Sequence, residues 1–277
     1  FTNPNNLMNI LRQTATITVM AVAMTYVIAA AEIDLSVGSI AGLSSVVTAM
    51  SISSWGLVPG IMAGLSVGLV AGAISGGLVA WLKVPSFLVT LGMLGLLVGV
   101  ARWITASAPI PIADQTYIAI FGGGQLGSVP TIFIWVTLVV GIGAIVMNKT
   151  KFGRHVRATG GNLVAAGYTG VKTARVKFIV LMLSGGGAAL AGMLYAGRLQ
   201  SGRFQWGTGD ELSVIAAVIL GGTSLFGGRG QVIGSLFGAV FIGLINNGLI
   251  LMGLDVSQQQ VVRGAIIILA VALSRKK

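Results

Sequence analysis

The sequence predicts an all-α protein, a polytopic bundle of transmembrane helices in a single domain comprising residues 1–277. Hydrophobic residues make up 55% of the chain and charged residues only 8%, whereas soluble proteins carry roughly a quarter charged residues. Apolar stretches close to the roughly 20 residues that cross a bilayer recur along the whole chain. They lack the polar–apolar alternation that a membrane β-barrel requires. A water-soluble globule is therefore excluded.

Nine apolar stretches define the predicted membrane crossings. They cover residues 8–31, 35–55, 57–82, 84–106, 129–148, 178–197, 211–226, 231–253 and 256–274. In the third stretch, Gly64, Gly68, Gly72 and Gly76 recur every four residues. Small residues at this spacing let helix backbones approach closely, so we expect this face to pack tightly against another helix.

A basic stretch between the fifth and sixth crossings sets the predicted orientation. Seven of the 17 lysine and arginine residues lie within residues 149–177, which contain no acidic residue. Because basic loops stay on the cytoplasmic side, we place this loop and the C-terminus in the cytoplasm. Residue 1 then lies outside, and we expect at least one further crossing before it. The basic residues are Lys149, Lys151, Arg154, Arg157, Lys172, Arg175 and Lys177.

The same basic stretch has alternative interpretations. A polybasic segment can also bind nucleic acid or anionic lipid. Its position between two apolar segments favours a cytoplasmic connection, so we predict membrane lipid but no nucleic acid among the partners.

The residue inventory argues against catalysis and metal binding by this chain. It contains no cysteine and a single histidine, His155, which are too few ligands for a structural zinc site. No G-x-x-x-x-G-K-[ST] motif is present, so the chain lacks the P-loop that would hold a nucleotide. We predict no catalytic residue, no metal site and no cofactor bound by this chain.

Two segments resemble each other in a way that predicts an internal repeat. Asp34-Leu35-Ser36-Val37 matches Glu211-Leu212-Ser213-Val214, and each follows an apolar stretch and precedes a glycine-rich one. Residues 8–106 and 178–274 would form two four-helix repeats of opposite orientation, an arrangement typical of transporters. The alternative is similarity from shared glycine, leucine and valine content.

The basic loop also encodes a short helical element. Asn162 is a favourable N-cap, residues 163–166 supply about one turn, and Gly167 can take the left-handed conformation that ends a helix. We expect this element to fit a groove on another protein.

Three ordered motifs carry a resemblance to a known family. They are GRHVRATGGNLVAAGYTG at 153–170, IDLSVGS at 33–39 and AAVILGGTSLFGGRG at 216–230, with NNGL at 246–249 following. Together they resemble bacterial ABC importer permeases of the ribose, or monosaccharide, class, a family shared with branched-chain amino acid permeases. Glu32 and Leu163 depart from the family pattern, where glycine and glutamate are usual.

The resemblance implies a non-catalytic permease in the bacterial inner membrane, with ten helices in the complete chain and an ABC importer permease fold. It implies two ATPase subunits that bind ATP and Mg, a periplasmic substrate-binding protein, and a second permease copy or a paralogue. The residues that it assigns to coupling with the ATPase are Arg154, Arg157, Gly160, Gly161, Asn162, Ala165, Ala166 and Gly167.

Two adjacent carboxamides, Asn246 and Asn247, lie inside the predicted span 231–253. Such groups are costly in a membrane unless partners or water satisfy them, so we predict that they line the translocation pathway. Helix-to-helix hydrogen bonding is the alternative. The cargo is also open among a monosaccharide, a branched-chain amino acid, a nucleoside and a furanose-like signal, and inverted repeats would equally allow an ion-coupled secondary transporter.

Overall fold

The computed structural model describes residues 3–273, except for the side chains at positions 4, 5, 256, 260, 263, 267 and 269–273. Within this range the chain is mostly helical, as predicted. The helices are α1 Pro4–Ala29, α2 Val37–Trp55, α3 Leu57–Ala80, α4 Ser86–Thr105, α5 Gln115–Phe121, α6 Thr131–Lys149, α7 Lys151–Gly161, α8 Leu163–Tyr168, α9 Thr173–Leu199, α10 Asp210–Leu220, α11 Val232–Leu251 and α12 Val256–Leu273.

Two short antiparallel ladders join connections between the helices. β1 (Ile110–Pro111) pairs with β4 (Ser201–Gly202), and β2 (Gln125–Leu126) pairs with β3 (Val129–Pro130). Each strand has only two residues, so the ladders fix loops without adding a sheet layer.

Seven of the helices in the described part of the chain are long and apolar enough to cross a membrane: α1, α2, α3, α4, α6, α9 and α11. The predicted crossing at 211–226 is wrong as a continuous helix, because α10 ends at Leu220. Gly221 and Gly222 follow, and Gly222 takes a left-handed φ of 88° that a helix cannot continue. The predicted crossing at 256–274 corresponds to α12 but extends beyond the described residues.

The basic loop is more ordered than the sequence predicts. Residues 149–177 contain α7, α8 and the start of α9. Thr150 caps α7 by accepting a hydrogen bond from the Gly153 N–H at 3.3 Å. The buried residues Gly153, Val156 and Thr159 recur every three residues along the inner face of α7. The lysines and arginines around them hide this helical spacing in the sequence.

The helices divide into a central and a peripheral set. In the membrane-spanning part of α2, 72% of the residues are buried within the protein, whereas only 17% are buried in that of α6. The exposed surface of α4 and α6 carries large apolar side chains, including Leu88, Leu96 and Ile142. An apolar belt of this kind is stable only in lipid.

Close backbone contact between α3 and α9 confirms the packing predicted for the glycine row. A methyl group at Gly68 would collide with the Gly185 carbonyl oxygen. At Gly72 and Gly76 it would meet the backbone of Leu181 and Phe178. Gly64 instead faces Thr48 on α2. The row therefore serves two neighbouring helices, because α3 leans from α2 towards α9 along its length.

Two ends of the bundle can be distinguished by contacts. At the basic end, formed by residues 149–177, Gly160 lies against Ala29 and Gly228. At the opposite end, the N-terminal part of α1 meets the C-terminal end of α9 through the bond from Arg198 to the Arg12 carbonyl, 2.9 Å long.

Replacing Gly68 by alanine tests the contact between α3 and α9. We expect the Gly68→Ala variant to lose about 1–3 kcal/mol of unfolding free energy, because the added methyl group has no room beside Gly185. Gly92→Ala on α4 is the matched control, since nothing lies within 4 Å of the methyl group it would add. Thermal unfolding in detergent measures both. Equal midpoints for the two variants would contradict the packing account.

Candidate coupling surface and polar cavity

Asn162 forms the corner between α7 and α8. Its backbone N–H donates to the Ala158 carbonyl and closes α7, while its side-chain oxygen accepts from the Ala165 N–H at 2.9 Å and opens α8. A side-chain acceptor at this position satisfies an N–H that the first helical turn leaves without a partner. The short helix therefore begins where the sequence predicts.

The end of α8 differs from the prediction. Gly167 does not end the helix, which continues through Tyr168. Instead Gly170 adopts the left-handed conformation, with φ of 83°. The Val171 N–H then donates to the Ala166 carbonyl, 3.1 Å away. The sequence offers two glycines for this role, and the bond from Val171 fixes the terminating turn at the second.

α8 has one anchored residue and an exposed face. The Ala166 side chain is only 4% exposed, so it holds the helix against the body of the protein. Val164 and Tyr168 are exposed by 65% and 88%, and Leu163 is also exposed. Apolar side chains on a protruding, capped helix form a surface that another protein can cover.

The structure separates the residues assigned to coupling into two groups. Arg154, Gly161, Asn162, Ala165 and Gly167 are exposed at the basic end. Ala166 is buried, and Arg157 and Gly160 are half-buried. A methyl group at Gly160 would collide with the Ala29 carbonyl, so Gly160 joins α7 to the end of α1 and is not part of the exposed surface.

The connection between α1 and α2 lies beside this surface and is extended rather than helical. Its Ile33 and Leu35 N–H groups donate to Ser86 and Thr90 on α4, both at 3.1 Å. Glu32 Oε1 pairs with Lys177 Nζ on α9 at 2.6 Å. The Ser86 and Thr90 hydroxyls satisfy backbone N–H groups that would otherwise be costly to bury, and Lys177 balances the charge of Glu32.

Asp34, in the same connection, organises the start of α2. The Ser36 N–H and hydroxyl both donate to Asp34 Oδ1, at 2.9 and 2.6 Å. Burial raises the pKa of the Asp34 carboxyl, and the bonds from Ser36 oppose that rise. The carboxyl thus fixes the turn at Ser36 that leads into α2. Among the described residues, no group of three or more His, Asp or Glu could hold a metal ion.

A polar cavity of about 500 Å³ lies at the opposite end, between α1, α9, α10 and α11. Tyr195 donates to Asp210 Oδ2 at 2.6 Å, and the Arg198 guanidinium lies 5.6 Å from the Tyr195 ring centre. The lining residues are Asn9, Arg12, Gln13, Thr14, Ile17, Tyr195, Arg198, Leu199, Asp210, Gly243, Asn246 and Ile250. Carboxamide, guanidinium and carboxylate groups together can exchange hydrogen bonds with a polyhydroxylated solute.

The two adjacent asparagines point to different surroundings. Asn246 lines the polar cavity. Asn247 is buried and forms a reciprocal pair of hydrogen bonds with Asn6 on α1, at 2.9 and 3.0 Å. Neighbouring side chains on a helix point about 100° apart, so Asn246 faces the cavity while Asn247 faces α1.

Of the residues that line this cavity, sequence reasoning found only Asn246 and missed the polar group formed by Tyr195, Arg198 and Asp210. A signal was available: Tyr195 and Arg198 are three residues apart at the end of α9, so their side chains share one helix face. From the sequence alone, Arg198 cannot be distinguished from an arginine whose side chain extends to the membrane surface.

Comparison with known proteins agrees with this architecture. Residues 6–271 match a family model described as the branched-chain amino acid transport system permease component. The ribose import permease protein RbsC of Escherichia coli strain K12 is 40% identical over 99% of this chain and 86% of its own length. RbsC of Bacillus subtilis strain 168 is 43% identical over 100% and 87%.

A third relative extends the range of cargo names. The xylose transport system permease protein XylH of E. coli strain K12 is 35% identical over 98% of this chain and 85% of its own length. No solved structure gives a significant match. On the strength of the family match and these relatives, the chain is a membrane protein that belongs to the family of branched-chain amino acid transport system permease components.

Proposed function

We propose that this chain is the permease subunit of an ATP-driven ABC importer whose cargo is a monosaccharide. The similarity to ribose import permeases, 40% and 43% identical over nearly the whole chain, carries the proposal. The exposed, capped α8 supports it, because a permease without a P-loop needs a surface through which an ATPase can act. A branched-chain amino acid is the second candidate cargo, favoured by the family description.

The proposed assembly joins this chain to three kinds of partner. Two ATPase subunits bind the exposed face of α8 and supply the sites for ATP and Mg. A periplasmic binding protein delivers cargo at the opposite end, and a second permease copy or a paralogue completes the membrane part. This chain itself contributes neither catalysis nor a cofactor.

The proposed architecture is two inverted four-helix repeats, α1–α4 and α9–α12, with nine crossings here and ten in a complete permease. Support comes from the starts of α2 and α10, which each follow a non-helical segment. The α2 residue Gly38 lies against Gly207 and the Glu211 side chain, just before and within α10. At about 1.5 Å per residue, the 11 residues of α10 cover roughly half of a bilayer core. The non-helical chain after α10 continues to Gly228, which donates to the Ala29 carbonyl at the basic end, so helix and loop together make this crossing.

The proposed orientation in the bacterial inner membrane places the basic end and the C-terminus in the cytoplasm. Single cysteines test it, since the chain has none of its own. We expect a cysteine at exposed Lys151 to react with a membrane-impermeant maleimide only after cells are opened, and one at exposed Gln115 to react in intact cells. The reverse pattern would contradict the orientation.

Substitution of Ala165 tests the coupling role of α8. Ala165 is exposed on this helix, so the Ala165→Trp variant should fold but place a bulky ring where the ATPase docks. We expect at least about tenfold less co-purifying ATPase, equivalent to about 1.4 kcal/mol, and a matching loss of cargo-stimulated ATP hydrolysis.

Ala113→Trp is the matched control for this experiment, because Ala113 is equally exposed in the connection before α5. It should leave ATPase binding unchanged. Full ATPase binding and hydrolysis in the Ala165→Trp variant would show that α8 only connects two spans. Identification of the ligand of the co-purifying binding protein would decide between a sugar and an amino acid.

The two asparagines should respond differently to leucine. We expect Asn246→Leu to lower uptake per assembled permease about tenfold, since it removes a polar group from the cavity. Asn247→Leu should cost about 1–3 kcal/mol of stability, because both hydrogen bonds with Asn6 are lost.

A double variant, Asn6→Leu with Asn247→Leu, should recover most of that stability because it removes both polar partners. Uptake in vesicles and thermal midpoints measure these effects. Undiminished uptake by Asn246→Leu would show that Asn246 is not part of the pathway. An unchanged thermal midpoint in Asn247→Leu would show that the Asn6–Asn247 hydrogen bonds do not stabilise the packing of α1 on α11.

A further inference from the structure

A second pocket at the basic end has a cationic rim and an apolar floor. It has a volume of about 310 Å³ and lies between α7, the turn after α8 and the first turns of α9. None of the residues assigned to coupling lines it. The lining residues are Phe152, His155, Gly170, Lys172, Arg175, Val176 and Ile179.

Three separate elements contribute the rim. His155 comes from α7, Lys172 from the turn before α9, and Arg175 from the first turn of α9, and all three are exposed. No lining residue is acidic, and residues 149–177 contain no aspartate or glutamate. Within residues 3–273, the structure gives these side chains no ion pair; Glu32 pairs instead with Lys177. The rim therefore carries positive charge that nothing nearby neutralises.

The floor is formed where α9 becomes apolar. Val176 is buried and lies one turn after Lys172, and Ile179 is half-buried and lies one turn after Arg175. Phe152 is held in place by stacking on Tyr26 of α1, with ring centres 6.1 Å apart. Polarity thus changes from cationic to apolar within about one helical turn, which matches the change from headgroup to acyl chain at a bilayer surface.

We propose that this pocket binds an anionic phospholipid. The headgroup phosphate lies among His155, Lys172 and Arg175, which can donate hydrogen bonds to its oxygens. The first part of an acyl chain lies against Phe152, Val176 and Ile179. The apolar floor distinguishes this occupant from free phosphate, which would leave it uncovered. A bound lipid would bridge α7 and α9, the two helices on either side of α8.

Lipid retention by the purified full-length chain tests the proposal. Native mass spectrometry compares binding of phosphatidylglycerol with phosphatidylcholine of identical acyl chains. We expect phosphatidylglycerol to bind more tightly, and the Lys172→Gln and Arg175→Gln variants each to lose about fivefold in affinity. The double variant should lose about thirtyfold, which corresponds to about 2 kcal/mol.

Lys151→Gln is the matched control, because Lys151 is an exposed cation on α7 that does not line the pocket. It should stay within about twofold of the unmodified chain. Equal loss in this variant and in Lys172→Gln would overturn the pocket in favour of diffuse attraction to a basic surface. Equal retention of the two lipids would overturn it as well.

Two further outcomes would assign the rim to a different ligand. Displacement of the lipid by inorganic phosphate or by glycerophosphoglycerol, neither of which has an acyl chain, would identify a free phosphate site. Loss of ATPase co-purification in the double variant, with unchanged lipid retention, would identify an acidic surface of the protein partner. Either result contradicts the lipid site.

Discussion

Backbone contact between α9 and its neighbours is the interaction on which the rest of the structure depends. Inside a membrane, lipid is as apolar as leucine, so burial of apolar side chains does not hold helices together, and close packing at small residues becomes a main source of their association. Gly185 meets Gly68 of α3, Gly192 meets Ala41 of α2, and Gly197 meets Phe121 of α5. With α9 fixed in this way, its first turn lies beside α8 and its last turn forms one wall of the polar cavity.

The contacts at the start of α9 connect the proposed coupling surface to the bundle. A short turn joins α8 to α9, and the bond from the Val171 N–H to the Ala166 carbonyl closes that turn on the end of α8. One turn into α9, Lys177 pairs with Glu32 in the connection that leads to α2. Because Glu32 is only 8% exposed and Lys177 only 21%, loss of one partner would leave a largely buried charge, which is costlier than loss of a surface pair. A movement of α8 that displaced the first turn of α9 would therefore disturb the Lys177–Glu32 pair in the connection to α2.

The sequence was sufficient for features that depend on local pattern. Seven long apolar helices in the described part of the chain, the cap at Asn162 and the glycine row of α3 each follow from a few neighbouring residues. Features that depend on distant partners were missed. The end of α8 is fixed by Val171, α10 stops at glycines within an apolar stretch, and Arg198 gains its place in the cavity from Tyr195 and Arg12. Hydropathy carries no information about such contacts.

In the proposed mechanism, ATP hydrolysis by a partner, acting through this chain, moves a sugar across the membrane. Uptake of radiolabelled ribose into proteoliposomes containing this chain, its ATPase and its binding protein tests it most directly. The account predicts uptake that requires ATP and persists after ionophores abolish the sodium and proton gradients. Uptake that continues without ATP and disappears with those gradients would contradict it.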